Sequence, residues 1–412
     1  MFLHAAVRQR TLEKALTVII AVNVILLAGT WFVNAIPFNR QSILYMILRE
    51  TDLASENVFA AWYSSMLLSL SAVMSILCFL MDVQRLHNKL LSYGWLIYAA
   101  AFLLLSFDEL GSVHEYIGNI AVFEKAGKLV DKTGNSGWTF FYVVVGMMSI
   151  FMLLFSLLRL RKVKWALPLL LIALLLYLSN PFQEFFEIES MRAAGDKAWQ
   201  RPVHLLLFEE GSELFGSLFF LMSIIFYAKQ PSGEIVYTAN ISHGILFKAT
   251  LALLMAFLMG FVLIRMLFGD VLADVQRGVP KNWITAFTTF LVFLYCVLYN
   301  KGSKRLMVFG IFSLCLSVYF GSNRFAFHFD TDYSPPRILL RSVISLFALI
   351  AYALVYGYFQ TRMAKLLSML SLLMVVAGIF ATRLYSAEIT FVGFGCFVLA
   401  VASLQIPLIR SG

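Results

Sequence analysis

The stretch LLLSFDELGSVHEYIG (residues 103–118) begins as sequence fit for a bilayer and then sets down Asp108, Glu109, His114 and Glu115. Read as the end of a soluble core helix, it would bury charge for no gain. Read as the end of a membrane span, it places a polar cluster near one face of the bilayer. Composition decides between them. The chain has 412 residues, of which 61% are hydrophobic and only 13% charged, with a mean hydropathy of +0.83. A soluble domain needs far more polar surface, so the reading is an all-α, polytopic integral membrane protein.

A helix needs about 20 apolar residues to cross a hydrocarbon core about 30 Å thick. On that ruler about twelve spans are expected, near 15–36, 60–81, 93–117, 138–159, 165–187, 203–228, 244–268, 283–300, 305–321, 338–359, 365–383 and 389–409. The first follows Arg8, Arg10 and Lys14 but lacks a small-residue cleavage site, and its apolar core is too long for a signal peptide; it reads as a retained helix. The even count puts both termini in the cytoplasm. Basic density in the short turns RLRKVK (159–164) and KGSKR (301–305) sets the same orientation. The inner segments then hold only Glu13, Asp82 and Glu234 of the 23 acids. The net charge of +9 is thus membrane topology and gives no reason to expect nucleic acid. Cys78, Cys296, Cys315 and Cys396 lie inside spans and read as small core residues, with no spacing for disulfides or zinc.

The polar linker at 229–243 divides the chain into two expected halves, 1–228 with a polar site and 244–412 almost purely apolar. In the second half Lys248, Arg265 and Arg383 sit near span ends. The loop PFNRQSILYMILRETDLASENVF (37–59) has helical spacing and is expected to lie in the interface. Ile43, Met46, Ile47 and Leu48 would face lipid, and Arg49, Glu50 and Asp52 water. The loop GSNRFAFHFDTDYSPPR (321–337), with Arg324, His328, Asp330 and Asp332, reads as an ordinary outer loop.

The intramembrane acids converge. On the third span Asp108 and Glu115, seven residues apart, share one helical stripe, flanked by Glu109 and His114. On the sixth, LLLFEEGSELFGSLFF (205–220), Glu209, Glu213 and Gly216 share a face beside Glu210. The fifth ends SNPFQEFFEIES (179–190), bringing Gln183, Glu184 and Glu187. Alternating topology sends all of them to the outer half of the bilayer. Each ionised carboxylate there costs several kcal/mol unless paired, neutralised or hydrated. Three answers are open: a bound metal ion, protons exchanged during transport, or a wet vestibule with the acids paired to Arg192, Arg201 or Arg265. With a metal, the ligands would be Asp108, His114, Glu115, Glu209 and Glu213, a donor set for iron, manganese or zinc. Glu109 or Glu210 would then act as general base. The ExxH pairs of ferritin-like bundles and HExxH are both lacking, and His204 at the mouth of the sixth span is better placed at the interface.

ENVFAAWYSS (56–65), LSFDELGSVHE (105–115) and EEGSELFG (209–216) resemble a group of bacterial multipass membrane proteins of unassigned function. These share a W-[WFY]-S-S helix start, an S-x-D-E-x4-H-E helix and an E-E-x-x-E-x-x-G helix. The resemblance covers roughly the first 220 residues and implies a common six-helix polar core. It implies as site residues Trp62, Ser64, Ser65, Asp108, Glu109, His114, Glu115, Glu209, Glu210 and Glu213, with either Glu184 or Glu187 from the fifth span.

The expectation is therefore a bacterial inner-membrane protein with a metal site open to the outer face, in contact with membrane lipid and acting on an anionic, hydrophobic or lipid-linked small molecule. Arg265, Arg337, Arg341 and Arg383, at outer span ends, would bind the anion. A proton- or cation-coupled secondary transporter is the alternative. A membrane glycosyltransferase using Glu50, Asp52 and Glu56 of RETDLASEN (49–57) is a third, and a structural subunit of a larger complex a fourth.

Overall fold

The first long apolar run forms α1 (Gln9–Ala35), and the interfacial segment contributes only the short α2 (Ile43–Arg49). Then follow α3 (Phe59–Arg85), a 3-10 turn (Leu90–Tyr93), α4 (Gly94–Gly111), α5 (Thr139–Arg159), α6 (Ala166–Ala194) and α7 (Val203–Ala228). The computed structural model describes residues 2–7, 9–39, 42–55, 58–85, 90–111, 139–194, 201–229, 235–240 and 304–321, with parts of 286–297 and 365–373.

The chain folds as two compact units, Val7–Val236 and a second made of Met1–Ala6 with Tyr237–Gly412. In the first, α3 packs on α4 and α7, α7 on α6 and α1, and α5 on α4 and α6. In the second, α8 (Lys304–Gly321) lies against a helical stretch within 286–297. Ser317 Oγ donates to the Ala286 carbonyl at 2.6 Å, and a Cβ on Gly310 would meet Cys296 Cβ at 2.8 Å. Helix dominates, as the apolar runs dictate. The addition to the expected all-α fold is a two-stranded sheet of β1 (Phe2–Val7) and β2 (Ile235–Asn240). Its second strand, IVYTAN, sits in the stretch read as a polar linker, where β-branched residues favour extended backbone.

Among the described residues four helices are long and apolar enough to cross a membrane: Gln9–Ala35, Phe59–Val83, Leu91–Leu110 and Val203–Ala228. Gly146–Arg159, Ala166–Asn180 and Met307–Val318 are shorter apolar helices. This is the make-up of a membrane protein. The expected spans 244–268, 338–359 and 389–409 lie outside the described residues. Exposed apolar side chains such as Val24 and Ile25 on α1, Ile150 and Leu154 on α5, and Leu175 on α6 suit contact with lipid rather than water. Cys78 and Cys296 are buried, but Cys315 is exposed on α8, so the core reading fails for that thiol; Cys396 lies outside the described residues.

Two close approaches fix the helix packing. A Cβ at Gly94 would strike the Phe155 ring, and one at Gly216 would fall 2.7 Å from the ring of Tyr177. Glycine is what lets α4 meet α5, and α7 meet α6, at those points. The turn from α5 to α6 closes through Leu160 N–H to the Ser156 carbonyl (2.7 Å), Val163 N–H to Leu160 (2.8 Å) and Ala166 N–H to Val163 (3.2 Å). Pro168 falls in the first turn of α6, where its missing N–H costs nothing. Pro181 lies in its interior and removes one ladder bond.

Candidate functional site

The acids gather at one end of the first unit, where α3 and α7 begin and α4 ends. On α7, Glu213 Oε1 accepts from Asn180 Nδ2 of α6 at 2.6 Å, and Ser212 Oγ donates to Asn180 Oδ1. Asn180 is 2% exposed, so its amide ties two helices together inside the bundle. One turn along, Tyr177 packs on Gly216 and its hydroxyl pairs with Ser217 Oγ at 2.6 Å. Glu209, on the first turns of α7, forms an ion pair with Arg201 just ahead of the helix. Gln183 Nε2 donates to the Leu205 carbonyl, closing α6 onto the start of α7.

Charge interactions connect these groups to α4 and to the loop before α3. Glu213, Glu109, Arg201 and Asp52 all act electrostatically on Glu210. Glu109, Glu213 and Asp108 act on Tyr177. Asp108, Glu109, Glu210 and Glu213 are thus linked through charge interactions with Glu210 and Tyr177. Asp52 is a correction. It was expected to face water, yet it is 6% exposed, accepting from Asn34 Nδ2 at 3.0 Å and from Ser55 Oγ at 2.7 Å. The loop that carries it is bound to α1, with Thr30 Oγ1 donating to the Thr51 carbonyl (3.1 Å) and accepting from Leu53 N–H (3.0 Å). Glu50 also turns inward: its carboxylate accepts from Phe59 N–H at 2.9 Å and so caps the start of α3.

Trp62, Ser64 and Ser65 are buried near the start of α3. Ser65 Oγ donates to the Ser106 carbonyl (2.7 Å), Ser106 Oγ to the Ser65 carbonyl (2.8 Å), and Ser69 Oγ pairs with Ser106 Oγ at 2.8 Å. These serines join α3 to α4 two residues short of Asp108, and their bonds satisfy one another. That makes them packing groups, a role small hydroxyl residues often play between membrane helices.

His114, Glu115, Arg265, Arg337, Arg341 and Arg383 lie outside the described residues, and Glu184 and Glu187 are placed only as members of α6. Among the described residues no three of His, Cys, Asp and Glu gather closely enough to hold a metal ion. Asp108, Glu209 and Glu213 therefore make no metal cluster among themselves; the other two expected ligands, His114 and Glu115, lie outside the described residues. Asn180, Tyr177 and Asn34 belong to this end and were not singled out from sequence. An Asn inside an apolar run, and an aromatic level with a glycine of another helix, were the available signals.

A second polar layer occupies the opposite end of the same helices. Asp82, 3% exposed, accepts from Trp95 Nε1 at 2.7 Å, from Arg159 Nε at 2.9 Å and from the Tyr227 hydroxyl at 2.8 Å; Arg159 Nη2 reaches its other oxygen at 2.7 Å. The Arg159 guanidinium also lies 5.5 Å from the Tyr227 ring centre. One carboxylate thus joins α3, α4, α5 and α7. From Glu209 to Tyr227 α7 rises about 27 Å, close to the thickness of a bilayer core.

A family model described as a domain of unknown function (DUF8692) matches residues 15–227. No curated protein and no solved structure matches the chain.

Proposed function

We propose that this chain, which belongs to that family of unknown function (DUF8692), is a polytopic inner-membrane protein of bacteria that binds and releases a cation at the acidic end of its first six long helices. Protons are the first choice, in the manner of a cation-coupled secondary transporter. One observation carries the reading: Glu210 stands in the field of three other carboxylates, Glu213, Glu109 and Asp52, with Arg201 the basic group among them. Arg201 is already bound to Glu209. Crowding carboxylates inside a membrane bundle favours the entry of positive charge, which a proton supplies. Both termini are cytoplasmic in this reading, and the acidic end opens outward.

The second reading is a metal-dependent enzyme acting on an anionic or lipid-linked substrate. It is favoured by the sequence that follows α4, in which His114 and Glu115 come three and four positions after Gly111. Iron, manganese or zinc would suit that donor set. Elemental analysis separates the two. Metal-free wild-type protein, with Glu210→Gln abolishing pH-gradient-driven proton flux into proteoliposomes, supports proton binding. Stoichiometric metal lost in His114→Ala supports the enzyme. Metal-free protein whose proton flux equals that of empty liposomes overturns both.

A further inference from the structure

The turn between α5 and α6 carries chemistry that the acidic end does not use. Four basic residues fall within 159–164, and no acidic residue occurs between Asp131 and Glu184. Arg159 is withdrawn from this group, because Asp82 holds its guanidinium inside the bundle, at 15% side-chain exposure. That bond and the turn's own backbone hydrogen bonds pin the segment in place. Arg161, Lys162 and Lys164 remain exposed, beside Trp165, which is 54% exposed. The Lys164 ammonium lies 5.5 Å from the Trp165 ring centre. Helix α6 begins at Ala166, so its unsatisfied amides add partial positive charge. The last turns of α7 are bound to the same corner, since Ser223 Oγ donates to the Ala166 carbonyl at 2.6 Å. Lys229, the C-cap of α7, follows two residues after Tyr227, which also binds Asp82.

Directly below the charges the helix faces are greasy and uncovered: Leu157 and Leu158 on α5, Leu171 and Ile172 on α6. Basic groups over an exposed indole over an apolar wall match a phosphate headgroup, the interfacial layer and acyl chains in turn. We infer that this turn is a binding site for an anionic phospholipid. It rests on the membrane reading above but not on the acidic site. The pinned geometry separates it from ordinary inner-loop charge, which attracts a leaflet without retaining a lipid.

The test is native mass spectrometry of the full chain purified in mild detergent and exposed to phosphatidylglycerol or phosphatidylcholine. Wild type should retain phosphatidylglycerol in preference, with no displacement by inorganic phosphate. The triple variant Arg161→Gln, Lys162→Gln, Lys164→Gln should lose at least about tenfold in retention, taking each charge near an anionic surface at its usual contribution. The pair Arg10→Gln and Lys14→Gln, basic and equally exposed on α1, should lose none. Arg161→Lys checks that the triple variant fails through charge, and should retain lipid. Undiminished retention in the triple variant, equal loss in the α1 pair, or displacement by phosphate overturns the inference. A chain absent from the membrane fraction overturns this and the membrane reading together.

Discussion

At the residue scale, Asp82 and Glu213 show how differently two carboxylates sit in one bundle. Asp82 accepts from three side chains of three helices and is balanced by Arg159. Removing one member of a buried ion pair strands the other, so Asp82→Ala should destabilise the protein by about 3–5 kcal/mol. Adding Arg159→Met should recover at least half of that, read as thermal unfolding in detergent; two losses that simply add would refute the coupling. Glu213 accepts a bond from Asn180 and lies close enough to Glu210 for their charges to interact. Glu213→Gln keeps an acceptor in the same place and sheds a charge, so stability should change by less than about 1 kcal/mol. Glu213→Ala leaves a buried amide N–H without its acceptor and should cost about 1–3 kcal/mol. Equal losses for the two would mean that the charge itself holds α6 to α7. Sequence pattern found Glu213 through its helical register with Glu209 and Gly216. It passed over Asp82, whose partners come from distant helices and share no spacing with it.

At the scale of elements, the apolar runs located α1, α3, α4, α5, α6 and α7, with ends up to about seven residues off at α1, α4 and α6, because a span must be apolar throughout while a helix need not end where it does. What periodicity does not carry is the closeness of two helices. Gly216 was read as a register position; its consequence is that Tyr177 lies where a side chain would go. Gly216→Val should therefore cost about 1–3 kcal/mol by overpacking a ring that cannot swing aside. Gly146 on α5 is the control, with nothing within 4 Å of a built Cβ. Gly146→Ala should leave stability unchanged or raise it by up to about 1 kcal/mol, from helix propensity alone. Thermal unfolding of both variants reads the opposite signs, and a Gly146→Ala loss as large as that of Gly216→Val would show that the close contact at Gly216 is not what sets the cost. The docking of 50–55 onto α1 was likewise illegible. It depends on Thr30 and Asn34 meeting backbone and carboxylate across a turn, and turn geometry leaves no apolar pattern.

At the scale of the whole molecule, the first unit has two polar layers, one of crowded carboxylates and one built on a single neutralised ion pair. They sit at opposite ends of helices whose sides are apolar. A bilayer imposes that division, since polar side chains are tolerated where water, headgroups or partners reach them. In the proposed orientation, the exposed Arg161, Lys162 and Lys164 face the cytoplasm and the acids the outer side, as the bias of basic residues to inner loops would have it. His204, exposed at the start of α7, marks the acidic end, and Lys162 marks the other. In a background freed of native cysteines, including the exposed Cys315, single His204→Cys and Lys162→Cys variants should differ sharply toward a membrane-impermeant thiol reagent. In intact cells only the cysteine at 204 should react; after permeabilisation both should. Labelling of 162 alone would invert the protein and turn the acidic end toward the cytoplasm, where a site drawing protons would work against the opposite gradient. Labelling of both in intact cells would remove the barrier between the two layers, and with it the reason for reading α3, α4 and α7 as spans.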